Sequence, residues 1–180
     1  IGIGAVIGGL TKAFGNLAAA DFATAKVKTL GVDADVLKPK LASLSNELSG
    51  QVSQLDLLSA SYDVASAGFG EVAELSDVLK ASQLGATGGF SDLATVADAT
   101  TSVLNAYGLE SDKAAKLIDG FIQTQNDGKI VVDQYAQQIG RLAPIAAGAG
   151  VGIDELNAAI STVTATGVPV ESTFAGLRQV

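Results

Sequence analysis

A glycine, then an apolar residue, then a small or polar helix starter: this pattern recurs along the chain. It restricts the fold to short helices turned back on one another. The copies are Gly31-Val32-Asp33, Gly68-Phe69-Gly70, Gly89-Phe90-Ser91, Gly108-Leu109-Glu110-Ser111, Gly150-Val151-Gly152 and Gly167-Val168-Pro169. Glycine just past a helix takes the left-handed conformation that ends it. The apolar residue staples the turn, and Asp, Ser or Gly caps the next helix, while proline suits its first turn. The fullest copy is Leu142-Ala-Pro-Ile-Ala-Ala-Gly-Ala-Gly-Val-Gly-Ile-Asp-Glu155. There Pro144 is expected to kink or stop the incoming helix. Gly148, Gly150 and Gly152 supply the reversal, and Asp154 and Glu155 open the next helix at the positive end of its dipole.

Apolar residues between these joints follow helical spacing. Phe14 to Leu30 is Ala-rich and reads as helix. Leu37, Leu41, Leu44 and Leu48 form a stripe with Pro39 in its first turn, followed by Leu55, Leu58, Tyr62 and Ala65, then Val72, Leu75, Leu79 and Ser82. Ser91 reads as the cap of a helix that turns Leu93, Val96, Ala97, Val103, Leu104 and Tyr107 inward. Ser111 starts another, with Leu117, Ile118 and Phe121 inward and Lys113 and Lys116 outward. The turn Asn126-Asp127-Gly128 leads to Val132, Tyr135, Ile139, Leu142 and Ala146. Ile153, Leu156, Ile160 and Val163 follow, then Val170, Phe174 and Leu177. Only Lys129–Val132 resembles a strand, so the fold class is all-α, a multi-helix array of short helices joined by Gly turns.

Several chemistries are closed to such a chain. It has no Cys and no His, which excludes disulfides, Cys/His zinc sites and histidine catalysis. Its net charge of −8 argues against a nucleic-acid reader. Met is also absent and the chain opens on Ile1, which points to an internal fragment of a longer polypeptide. Residues 1–20 read as an apolar N-terminal helix or truncated segment. Ile1 to Leu10 is uncharged but falls short of the roughly 20 residues needed to span a bilayer. Gly4 and Gly8 within it are spaced for close helix approach; Gly2, Gly4 and Gly8 look like a loosened dinucleotide loop, but the preceding strand and the acid ending a second strand that such a loop needs are not visible.

The remaining motifs read as structure. Asp127-Gly128-Lys129-Ile130 has the core of a calcium loop, but Gln123, Gln125 and Gln134 stand where acidic ligands belong. Gly148, Gly150 and Gly152 precede a helix as a phosphate cradle does, yet Asp154 and Glu155 would repel an anion. Asp33/Asp35, Glu71/Glu74 and Asp154/Glu155 sit at helix starts, where acids complement the dipole. No base is placed to activate a hydroxyl. The expectation is no enzyme, with no catalytic, cofactor-binding or metal-binding residue.

From about Asp21 to Gln179 the chain resembles the core region of phage tail tape measure proteins. The resemblance is carried by Ala-Tyr-Gly-Leu-Glu-Ser-Asp-Lys-Ala-Ala-Lys-Leu-Ile-Asp119, by Ile139-Gly-Arg-Leu-Ala-Pro-Ile-Ala-Ala147 and by Gly150-Val-Gly-Ile-Asp-Glu-Leu-Asn-Ala-Ala159. Thr166-Gly-Val-Pro-Val-Glu-Ser-Thr-Phe-Ala-Gly-Leu-Arg178 completes it. Residues 21–180 are thereby the helical core region. The resemblance implies a structural protein that occupies the tail tube lumen, sets tail length during assembly and leaves ahead of the DNA at infection. It implies partners in the tail tube protein, tail-tip or baseplate hub proteins and tail assembly chaperones. It also implies a homo-oligomer, with a trimer as one form, and contact with the host membrane. Sequence-specific nucleic-acid binding and cofactors are not implied. The locations implied are the virion tail lumen and, during assembly, the host cytoplasm.

A continuous helix gains about 1.5 Å per residue, whereas this segment is broken at every Gly joint. It therefore reads as a compact module attached to a ruler. The rival readings are a membrane-perturbing or pore-forming helical segment acting in genome delivery, and a helical lytic enzyme with a buried carboxylate pair. Small side chains at Ala18-Ala19-Ala20, Ala146-Ala147 and Ala158-Ala159 would let copies pack closely. Apolar stripes left exposed on one chain and covered by another are the expected consequence.

Overall fold

The computed structural model describes residues 3–179, with side chains described from residue 15 onward. The expectations for Gly2, and for the side-chain packing of residues 3–14, lie outside what is described. Helices follow one another as α1 (Ile3–Thr29), α2 (Ala34–Glu47), α3 (Gln54–Ser66), α4 (Val72–Gly88) and α5 (Leu93–Tyr107). A 3-10 turn at Ser111–Lys113 leads into α6 (Ala114–Asp127), then α7 (Val132–Gly148), α8 (Ile153–Ala165) and α9 (Val170–Leu177). No strand occurs among the described residues, and Lys129–Val132 is loop entering α7.

Each helix packs on the next one and on the next but one. The odd-numbered helices stack α1 on α3, α3 on α5, α5 on α7 and α7 on α9. The even-numbered helices stack α2 on α4, α4 on α6 and α6 on α8. Consecutive helices then join the two rows, so the chain is a two-layer α-array of the solenoid kind. Only the packing of α4 on α7 reaches further among the principal contacts. Position along the sequence is thus also position along the array.

The joints hold this register. At the end of α7 the Gly150 N–H donates to Ala147 O at 3.0 Å and the Val151 N–H to Ala146 O at 2.9 Å. Gly150 has φ +79. Those bonds are a Schellman turn, which satisfies carbonyls the helix end would leave bare. The same pair of bonds closes α1 at Gly31, α3 at Gly68 and α5 at Gly108. Two joints depart from the sequence reading. At Gly89-Phe90-Ser91 it is Phe90 that takes the left-handed conformation, with φ +55, and its ring is 82% exposed, so it staples nothing. Gly89 is required for another reason: a Cβ there would lie 2.3 Å from Val132 Cβ. The other departure is a joint at Ser49-Gly50, both with positive φ. Its apolar residue, buried Val52, stands one position later than in the recurring pattern.

Other expectations also need correction. Pro144 neither stops nor ends α7, which runs on to Gly148. The ring faces solvent, and the missing N–H falls within the last turns, where the Schellman bonds take over the end. Pro39 lies in the second turn of α2 rather than the first. Ser91 does not cap α5; Asp92 does, accepting the Thr95 N–H at 3.0 Å. The face of α3 is rotated as well, with Leu57, Ser61 and Val64 deepest and Leu55, Tyr62 and Ala65 only half-buried.

The stripes do not await a partner. Leu37, Leu41, Leu44, Leu75, Leu79, Leu104, Ile139 and Leu142 are all buried within the single chain. Ala146 is buried too, while Ala18, Ala19 and Ala158 are exposed. Towards its later helices the core holds Tyr135, whose ring meets Phe121 at 4.6 Å and Phe174 at 6.0 Å between centroids. Three helices, α6, α7 and α9, are pinned there by aromatic area that few other positions in the chain supply.

Candidate functional site

The residues that sequence chemistry singles out are taken up by architecture. Gln123 Nε2 donates to Asp127 Oδ2 at 2.6 Å. Gln125 Oε1 accepts the Val132 N–H at 2.8 Å, and Gln134 Oε1 accepts the Val131 N–H at 3.3 Å. Of the three amides standing at calcium-loop positions, Gln123 bonds within α6, while Gln125 and Gln134 hold the start of α7. Asp33 Oδ1 caps α2 through the Asp35 and Val36 N–H groups. The Glu71 N–H donates to Glu74 Oε2, as in a capping box. Asp154 faces Lys116 at 3.5 Å with both side chains well exposed. Gly148, Gly150 and Gly152 lie in the Schellman turn and at the N-cap of α8. Among the described residues no three His, Cys, Asp or Glu side chains stand where they could hold a metal ion. Nor is any described helix long and apolar enough to cross a membrane.

What the array does present is an uneven surface. Residues 41–112 carry ten acids and one base, Lys80, which pairs with Glu47 at 2.9 Å. Residues 1–40 carry five Lys and three Asp. Because sequence order is array order, the middle of the array is acidic and its beginning is not. An open groove of about 430 Å³ runs between α3, α4 and α5, with Asp56, Asp63 and Asp92 on its rim and Gln83 in its wall. A larger one, of about 860 Å³, lies between α1, α2 and α3, lined by Leu17, Leu41, Leu55 and Leu58 with Lys38 and Asp21 at its edges. Lys26 sits above the Tyr62 ring at 3.9 Å and joins α1 to α3 by its charge.

Electrostatics within the array are mild. Asp92 is held below the usual carboxylate range by the Thr95 backbone N–H and hydroxyl it accepts. Glu47 is lowered by its hydrogen bond and charge pairing with Lys80. Burial pushes the Tyr135 hydroxyl well up, and Tyr107 adds to the effect. Tyr135 spends that hydroxyl on Asn157 Oδ1 at 2.6 Å, a bond between α7 and α8. A tyrosine kept neutral and held in this way is a strut between α7 and α8.

The acidic middle was present in the sequence as a run of Asp and Glu with one Lys, but overall charge alone did not reveal it. The two-row packing that turns the run into a surface has no signal in any single joint.

A family model described as "Phage-related minor tail protein" matches residues 40–180. The "Tape measure protein" of Pneumococcus phage Dp-1 is 31% identical over 106 residues. That match covers 59% of this chain and 9% of the relative, so the chain spans a small part of that protein's length. No solved structure matches the chain.

Proposed function

We propose that this chain, which belongs to the phage-related minor tail protein family, is the core module of a tape measure protein. In that reading it lies within the tail tube lumen, takes part in setting tail length, and leaves ahead of the DNA at infection. As a member of a phage tail family it is a virion component. The observation that carries the finer reading is the joint one of family and architecture: the second half of α2 and helices α3 to α9 fall inside the family match and fold as a two-layer array. In this reading the folded array is a structural part of the tail. It gains little length per residue, so it serves as a compact unit carried on a longer ruler. Its acidic middle suits a lumen through which DNA passes, because it repels phosphate. Contacts with the tail tube protein, tail-tip or hub proteins and assembly chaperones belong to the same proposal, as do further copies of the chain and transit past the host membrane.

The test is location. An antibody raised against exposed α2 and α3 residues is applied to intact tails and to tails opened by mild denaturant. Binding only after opening is the expected result. Labelling along the outside of intact tails would overturn the lumen reading. An in-frame deletion of residues 40–180 adds a second measurement: tails should fail to assemble or change in length, and unaltered tails would refute a role in assembly.

A further inference from the structure

The groove between α3, α4 and α5 is rimmed by negative charge that the chain does not neutralise. Asp56 and Asp63 of α3 and Asp92 at the start of α5 line it, and no Lys or Arg does. Asp56 and Asp92 are partly spent on their own helix starts. Ser53 Oγ donates to Asp56 Oδ2 at 2.7 Å, and Thr95 Oγ1 donates to Asp92 Oδ2 at 2.7 Å. Asp63 is different. It is exposed within α3, and its carboxylate has no partner among the described residues.

The wall of the groove gives an independent sign. Gln83 of α4 is only 8% exposed. Its Nε2 donates to Thr87 Oγ1 at 3.1 Å, and Thr87 Oγ1 donates in turn to Gln51 Oε1 at 3.1 Å. That relay uses the amide N–H and leaves Gln83 Oε1 with no donor among the described residues. No buried side-chain oxygen among them is both sealed from solvent and unpartnered, so Oε1 opens onto the groove that Gln83 lines. An amide fixed at one end with its carbonyl facing a cavity is an acceptor held ready. Below it the floor is apolar and low, built from Val52, Ala60, Ala86 and Leu93.

We propose that this groove docks a short extended peptide segment bearing Lys or Arg side chains, supplied by another protein. The unmet groups, Asp63 and Gln83 Oε1, are both acceptors, which suits N–H donors that carry charge. Asp56 and Asp63 stand two turns apart, about 10 Å, a distance that three extended residues span. A volume of about 430 Å³ suits a segment of that size. The apolar floor would cover the methylene stems of basic side chains, a contact that a metal ion cannot use. A second copy of this chain fits less well, because its paired bases, Lys26 with Lys28 and Lys38 with Lys40, sit on helices rather than on an extended segment. The proposal stands on the groove itself, whether or not the chain occupies a tail lumen.

The test titrates the folded chain into a fluorescent hexapeptide, Ala-Lys-Ala-Leu-Lys-Ala, at about 50 mM salt and reads anisotropy. The expected result is saturable one-to-one binding, at least tenfold weaker for the same peptide with Glu in place of Lys. Asp63→Asn and Ser59→Arg, both at exposed positions of α3 that line the groove, should each weaken binding at least fivefold. Glu110→Gln and Asp119→Asn make the same change of charge at exposed positions outside the groove and should leave binding within twofold. Gln83→Leu, once shown by its melting curve to be folded, should weaken it at least threefold. No saturation below about 1 mM would overturn the proposal. Equal effects of the three acid substitutions would overturn it too, as diffuse attraction. So would spermidine displacing the peptide at equal concentration, which would mark a counterion site only. An oligomer of the chain that Ser59→Arg dissolves would overturn it in favour of a second copy.

Discussion

Single glycines do two different jobs here, and substitution separates them. Gly150 is needed for its φ of +79, with open space where a Cβ would go. Gly150→Val should cost about 1–2 kcal/mol, because the left-handed backbone crowds a branched side chain. Gly89 is needed for its smallness, since a Cβ would run into Val132. Gly89→Ala should therefore cost at least as much, about 1–3 kcal/mol, by prising α4 from α7. Urea melts of both variants check the pair, and a neutral Gly89→Ala would remove the close-approach argument. Tyr135 supplies a pH signature. Its pKa is raised above the ordinary 10.0, so between that value and the folded one the unfolded chain has lost a proton that the folded chain keeps. Stability is then unaffected below about pH 10 and falls as pH rises beyond it. Tyr135→Phe should shallow that alkaline limb, leaving the part due to Tyr107, which burial also raises. At neutral pH the same change should cost about 1–2 kcal/mol, through an orphaned Asn157.

Helix ends are where sequence reading met its limit at the scale of the element. The pair Ser91-Asp92 offers two good caps in a row, and composition does not choose between them. The fold does: Ser91 Oγ is drawn to Asp133 Oδ1 at 2.9 Å, across to α7, and Asp92 is left to cap α5. Asp92→Ala should thus lower stability by about 1 kcal/mol, and Ser91→Ala by less. Since the Asp92 carboxyl titrates below its ordinary range, its contribution is present above about pH 4 and is lost as pH falls. In Asp92→Ala the acid limb of the stability curve should be shallower; an unchanged limb would show that the cap is not formed. Stripes on α2, α5, α6 and α7 were legible because a one-sided helix declares its buried face by spacing alone. The α3 face was not legible. That helix is contacted by α1, α2, α4 and α5, so its covered arc is wide and the apolar spacing fits more than one face within it. Pro144 misled for a related reason, since tertiary packing of α7 on α5 outweighs one missing hydrogen bond.

Over the whole molecule, the placing of charge matters more than its total. The charge is concentrated in residues 41–112, ten acids against one base, which makes the middle of the array hostile to phosphate. Binding of the folded chain to duplex DNA should be too weak to detect in electrophoretic shift at physiological salt. A tight complex that dissolves as salt rises would show that the basic beginning of the array dominates instead. The all-α class could be read from the chain because every joint and stripe is local. The two rows could not, since they arise from which helices meet, and that is set by turn angles no short motif records.

Neighbour-only packing also has a mechanical consequence. Among the principal contacts of the described residues, nothing reaches further along the chain than α4 on α7, so a pull on either end meets mainly the last helix. Under load the array should come apart like a stack of folded leaves, each step releasing one helix and its turn, roughly 20 residues or about 65 Å of slack. Such a chain can be drawn through an opening narrower than its folded width without first melting as a whole.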